Sequence, residues 1–258
     1  MNEAKLYGKE KLLSDLQAVG RKITKEITVY LIGGCAMCLR DLKLNTKDVD
    51  AIFVSKDELD LFKNELIVLG YEITVGVDAV YEKLGAYTIL RHSENAGFDL
   101  FHIKVCDMLL LSEDMKKRAT NYGTLDKLTV KLLSNEDITL FKAITDRPRD
   151  INDIELLVRG KADFDWNIIK NECKSQAEHL KIEGHLYNRL LELFERYQIR
   201  APILPWLKNR DKRHLLHNAY VIRLKKGFTY EQIMGQFRKE GFSKKDIAIL
   251  DGFGKEQM

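Results

Sequence analysis

Residues 49–54, Val-Asp-Ala-Ile-Phe-Val, form a nearly continuous apolar run with one acid set inside it. A strand this apolar has both faces covered and belongs near the centre of a sheet. Residues 26–32, Glu-Ile-Thr-Val-Tyr-Leu-Ile, make a second run, rich in β-branched residues and stopped by Gly33-Gly34. That pattern predicts a strand entering a glycine turn, and the residues after it, 35–42, predict a short helix.

Other elements must cover such a sheet. Leu12, Leu13, Leu16 and Val19 recur at helical spacing and predict an amphipathic helix over 9–20. Leu59, Phe62, Leu66 and Leu69 do the same for 56–69, with Gly70 as the stop. Residues 71–75, 86–90, 98–105 and 128–133 read as further strands. From 134 onward the pattern turns helical, with Ser134 as N-cap of a helix over 135–145 and Asp150 as N-cap of one over 151–159. Residues 167–200 read as one or two helices, 201–206 as a linker with two prolines, and 211–226 as another helix. In the tail, Thr229-x-x-Gln232 and Ser243-x-x-Asp246 each follow Gly-Phe, as capping boxes of two short helices joined at Gly241.

This order of elements predicts an α/β (α+β) fold, a mixed-sheet core with a mainly helical C-terminal region. The expected division is a sheet domain over 1–160, a helical connector over 161–206 and a small basic helical domain over 207–258.

With 45% hydrophobic and 31% charged residues and three prolines among 258, the chain is of the folded rather than the disordered class. Its first residues are charged every few positions and lack a signal peptide's apolar stretch, and no later run approaches the ~20 apolar residues of a membrane span. Cys35, Cys38, Cys106 and Cys173 lack disulfide-framework spacing. A cytoplasmic protein without membrane partners is the expectation. Net charge is only +3, yet residues 206–227 are strongly basic, with Asp211 as their one acid. Such a segment suits a phosphate backbone, or is a solvated helix face. The tail helices could form a helix-turn-helix, or a compact three-helix module that binds no DNA.

Two stretches beside the glycines compete for a chemical role. Cys35-x-x-Cys38 at a helix start is an arrangement that lowers a thiol pKa in thioredoxin-like enzymes. The prolines at 148, 202 and 205 include none just before a strand that could face the pair. Zinc would need two more ligands, and the other cysteines and the histidines have no paired spacing. The thiols are therefore expected to be small packing residues.

The carboxylates carry more. On an alternating strand Asp48 and Asp50 share a face, about 7 Å apart at Cα. Two like charges held that close call for a cation, and Mg²⁺ takes a few carboxylate oxygens while keeping sites for water and phosphates. Asp99 interrupts the apolar run 98–105, where an unpaired acid is expensive unless something positive meets it. It is the candidate third acid, one that would let the site hold a second metal ion. Gly33 and Gly34, between strand and helix, would let backbone N–H groups approach a phosphate.

Gly33-Gly34, thirteen residues, then Asp48-Val49-Asp50-Ala51-Ile52 resemble the signature of the DNA polymerase β-like nucleotidyltransferase superfamily. There a hydrophobic-Gly-Gly/Ser motif precedes Asp-hydrophobic-Asp on the next strand. Residues 140–158, with Lys142 and Arg149-Asp150-x-x-Asp153, are similar to the Lys…Arg-Asp-x-x-Asp helix motif of abortive-infection toxin-type and related uncharacterised prokaryotic nucleotidyltransferases. The resemblance implies a nucleotidyltransferase core over residues 25–160, Asp48, Asp50 and Asp99 as catalytic and metal ligands for Mg²⁺ or Mn²⁺, and an NTP as substrate. Gly33, Gly34 and Lys142 would contact its phosphates, and Arg149 with Asp150 would organise the site. The expected reaction moves an NMP to a hydroxyl acceptor, with tRNA or another RNA held by the basic C-terminal region as one such acceptor, and releases pyrophosphate. The alternative is a non-catalytic nucleotide- or nucleic-acid-binding protein on the same scaffold, which gains nothing from clustered acids.

Overall fold

The computed structural model describes residues 5–74, 88–106, 108–145, 147–160, 163–176 and 182–255. They fall into two compact units, Met1–Ala201 and Pro202–Met258.

The first unit runs β1 (Tyr7–Gly8), α1 (Lys9–Lys22), β2 (Ile27–Ile32), α2 (Gly33–Leu39), β3 (Asn45–Thr46), β4 (Asp48–Phe53), α3 (Lys56–Val68), β5 (Glu72–Ile73), β6 (Thr88–Arg91), β7 (Gly97–His102), β8 (Lys104–Val105), β9 (Leu109–Leu110), α4 (Glu113–Arg118), β10 (Thr120–Leu125), β11 (Leu128–Leu132), α5 (Asn135–Ala143), α6 (Asp150–Arg159), α7 (Trp166–Gln176) and α8 (Glu183–Tyr197). A seven-stranded mixed sheet, in the order β10-β11-β2-β4-β7-β6-β5, organises it. The two apolar runs lie side by side near its middle: β2 pairs antiparallel with β4, and β4 pairs parallel with β7. Val49, Ala51, Ile52 and Phe53 are fully buried, as a central strand requires.

Helix α1 buries Leu12, Leu16 and Val19, the face its spacing predicts. Helix α3 is capped by Ser55, whose hydroxyl accepts from the Glu58 N–H, and sets Phe62 against Phe53 and Phe98.

Three expectations change, and one strand, β10, has no counterpart among the expected ones. The run 98–105 breaks at Ile103, whose φ of +61° is unfavourable for a β-branched residue. Its N–H bonds the Phe53 carbonyl and its carbonyl accepts from Leu111, so the chain turns out of the sheet there. Strand β10 carries no apolar alternation because it is an edge strand with mostly exposed or half-exposed residues. The stretch 161–206 is no connector: α7 and α8 pack on α5 and α6 and belong to the first unit. They bury Ile169, Cys173, Leu186, Leu190 and Leu193, and Arg118 at the end of α4 bridges Asp137 of α5 and Glu172 of α7 at 2.8 and 2.6 Å. Finally, the helix expected from 211 starts at Leu204. Residue 75 and residues 86–87 of the expected strands lie outside the described residues.

The second unit is a three-helix module of α9 (Leu204–Lys225), α10 (Tyr230–Lys239) and α11 (Lys244–Lys255). Pro205 sits in the first turn of α9, where no intrahelical N–H bond is lost. Leu216, Tyr220, Ile233, Met234, Phe237, Leu250 and Phe253 form its core. Both predicted capping boxes are present: the Thr229 N–H donates to Gln232 and the Ser243 N–H to Asp246, each reciprocated by the backbone bond to the cap hydroxyl. Among the described residues no helix is long and apolar enough to cross a membrane.

Candidate active site

The parallel pairing of β4 and β7 places Asp50 directly beside Asp99, and Asp48 beside Gly97. Strand alternation then puts Asp48, Asp50 and Asp99 on one face of the sheet. Asp99 is 2% exposed, Asp50 partly buried, and the Asp48 side chain 21% exposed. Asp50 lies against the glycine pair. A Cβ on Gly33 would stand 2.2 Å from Asp50 Oδ2, and Gly33 has a φ of +63°. Both the backbone conformation and the carboxylate therefore demand glycine there.

Asp48, Asp50 and Gly34 line one side of a cleft whose other wall comes from the end of α5, the turn after it and the start of α6. Lys142 is 5% exposed and donates to Asp150 at 3.2 Å and to Asp153 at 2.6 Å. Lys43 reaches Asp153 at 2.8 Å, Arg147 Nε reaches Asp150 at 3.1 Å, and the Thr145 hydroxyl also donates to Asp150. Asp150 is thus not the N-cap its position suggests. It is the first helical residue, Arg149 stands at the cap without a side-chain bond, and the Asp150 carboxylate serves three donors instead. Lys47 and Arg149 line the same cleft, are exposed, and their side chains make no hydrogen bond or ion pair among the described residues.

The acids separate by their surroundings. Burial raises the pKa of Asp50, and the neighbouring Asp99 charge adds to it, with Arg147 and Lys142 pulling the other way. Asp99 is raised by burial, partly offset by Arg91, with Asp48 adding to the rise. Asp150 and Asp153 are buried too, but Lys142 beside both, with Arg147 and Lys43, holds them below the ordinary carboxylate value.

One further side chain enters the acidic cluster. Arg91, at the end of β6, donates from Nη1 to Asp99 Oδ1 at 2.7 Å and brings Nη2 to 3.8 Å from Asp48 Oδ1. Among the described residues no three His, Cys, Asp or Glu side chains are gathered as a ready-made metal cluster. Arg91 stands between two of the three candidates.

The thiols are spent on packing. Cys35 and Cys38 are each 1% exposed, and all four cysteines are buried. Burial pushes the Cys35 thiol up, with the Asp50 charge adding to it, and pushes Cys38 up to about 11, the reverse of what a redox thiolate needs.

Asp48, Asp50 and Asp99 thus share one face of adjacent strands, with Asp50 in register beside Asp99, and Gly33 lies against Asp50. Lys142 and Asp150 meet on the opposite wall, and Arg149 stands at the cleft's exposed rim. Lys47 and Arg91 gave no signal in the sequence beyond position: Lys47 immediately precedes Asp48, and Arg91 ends a strand on the face that carries Asp99.

No curated protein matches the chain. The model of a family described as "Nucleotidyltransferase of unknown function (DUF6036)" matches residues 10–200. The matched span is nearly the whole first unit and stops before the three-helix module. Because it takes in well over half of the residues, with the Asp-x-Asp strand and the α5–α6 wall inside it, the chain belongs to this family of nucleotidyltransferases.

Proposed function

We propose that the first unit transfers an NMP from an NTP to a hydroxyl acceptor with release of pyrophosphate, using Mg²⁺ or Mn²⁺ held by Asp48, Asp50 and Asp99. The observation that supports this most is the in-register pair Asp50 and Asp99 beside a cleft rimmed by unpaired cations. The donor set suits a hard divalent cation: all are carboxylates, and the Asp50 carboxylate accepts no side-chain hydrogen bond among the described residues. A bound ion would neutralise phosphate oxygens and acidify a hydroxyl beside it.

The chain's own residues do the rest. Lys47 and Arg149 meet the triphosphate at the rim, where their charges are uncommitted. Lys142, already engaged by two carboxylates, acts as a positioning residue that keeps Asp150 and Asp153 ionised and the α6 wall in place. Asp99 accepts the proton as the acceptor oxygen bonds to the α-phosphorus and the bond to the pyrophosphate oxygen breaks. Positioning and charge stabilisation supply the rate.

The basic α9 segment makes an RNA the first acceptor to test. Purified protein is incubated with each α-³²P-labelled NTP, Mg²⁺ or Mn²⁺, and total RNA or a metabolite extract. Label transfer that needs the divalent ion and disappears in Asp50→Asn is expected. Equal transfer by the variant, or none by the wild type with any NTP, removes the proposal.

A further inference from the structure

Arg91 is held at the acidic cluster by more than one device. Its Nη1 donates to the Leu90 carbonyl at 3.0 Å as well as to Asp99, so the guanidinium is braced by its own strand. The space it fills exists because residue 97 is glycine. A Cβ there would stand 2.7 Å from Arg91 Nη1, 3.0 Å from Arg91 Cδ and 3.0 Å from Asp48 Oδ1. One missing methyl group lets the guanidinium and the Asp48 carboxylate approach each other over residue 97. The Arg91 side chain is 33% exposed and Asp99's only 3%, so the arginine has a path to solvent that the aspartate lacks.

We propose that Arg91 is a built-in counter-ion that competes with the divalent cation for Asp99 and Asp48, so that metal loading requires the guanidinium to withdraw. This rests on the reading of the three carboxylates as a cation site. In its seated position Arg91 offsets the repulsion among the acids and keeps the metal-free fold intact. The same position lowers apparent metal affinity by the fraction of molecules in which the arginine is seated. If that fraction is nine tenths, the loss is about tenfold. Gly97 is then the residue that permits the competition, because any side chain at 97 drives the guanidinium off.

The test is Mn²⁺ binding to the full chain at pH 8, read by the electron paramagnetic resonance of free Mn²⁺ and by the Mn²⁺-induced rise in melting temperature. Wild type, Arg91→Gln, Gly97→Ala and Asp50→Asn are compared. Arg91→Gln is expected to bind Mn²⁺ about tenfold more tightly than wild type, to melt lower without metal, and to gain more on adding it. Gly97→Ala keeps the arginine but displaces it, and shifts affinity in the same direction; it also keeps the proposal testable if Arg91→Gln fails to fold. Unchanged or weaker binding in both variants, with Asp50→Asn still abolishing it, overturns the competition while leaving the cation site standing. No binding by wild type or either variant overturns the cation site itself, and the competition with it.

Discussion

Asp50 and Asp99 on the sheet, and Asp150 and Asp153 on α6, are two pairs of acids around one cleft with opposite balances of charge. The α6 pair is surrounded by Lys142, Lys43 and Arg147, and its pKa values lie below the ordinary carboxylate range. The sheet pair has each other, Asp48 and a competing Arg91, and its pKa values lie above that range. Burial raises all four, so the surrounding charges set the sign: cations beside the α6 pair, other carboxylates beside the sheet pair. The first pair is completed from within the chain, and such a cluster holds a wall in place. The second carries a surplus of negative charge that its neighbours do not cancel, which suits a site that takes a cation from outside.

Breaking the sheet pair should give the largest effect, and on activity rather than folding. Asp50→Asn removes a charge that matters when the phosphorus is attacked, and a loss of roughly 10³-fold in kcat is expected. Transfer of ³²P from labelled NTP measures it, with circular dichroism confirming an unchanged fold. Breaking the α6 pair should act on stability instead. Lys142→Met leaves Asp150 and Asp153 buried with Lys43 and Arg147 alone, and costs about 3 kcal/mol, read as a lower urea midpoint with unchanged slope.

The comparison sharpens with pH in a chelator. The folded pKa values of Asp50 and Asp99 are raised, so their contribution is fully present below the unfolded carboxylate value of about 3.9 and is lost as pH rises through the folded values toward neutrality. Those of Asp150 and Asp153 are lowered, so their contribution is present above the unfolded value and lost as pH falls through the folded values. Metal-free Asp50→Asn should therefore melt higher than wild type at pH 8, by an amount equivalent to about 1 kcal/mol, and match it at pH 4. A variant that melts lower than wild type at pH 8 would mean that the Asp50 charge is already compensated within the chain.

Local pattern singled out Asp48, Asp50 and Asp99 but not the register that joins them. The run 49–54 announces a buried strand because apolar burial is a property of the segment itself. The pairing of Asp50 with Asp99 depends on a parallel register between strands nearly fifty residues apart, which alternation within either strand leaves open. Asp150 shows the opposite failure. An aspartate ahead of an apolar-periodic helix reads as a cap, and only the arrival of Lys142, Thr145 and Arg147 from the preceding helix and turn redirects its carboxylate. Arg91 was invisible for a related reason: its meaning depends on the missing side chain at Gly97, six residues along and on the next strand.

The smallest effect belongs to the rim, where neither pair reaches. Lys47 and Arg149 touch no acid among the described residues, so Lys47→Ala and Arg149→Ala should each leave stability within ~0.5 kcal/mol of wild type. If these charges meet the triphosphate equally in the bound and reacting states, each loss raises KM for the NTP by about fivefold and leaves kcat alone. Steady-state kinetics across NTP concentration separates the two constants. A fall in kcat instead would move the residue from holding the substrate to stabilising the charge that develops on the leaving pyrophosphate. Raising ionic strength provides the internal control, because exposed charges are screened over about 8–10 Å in 0.1–0.15 M salt and the buried α6 pair is not. The KM difference between wild type and Lys47→Ala should shrink with added salt, whereas the stability lost in Lys142→Met should persist.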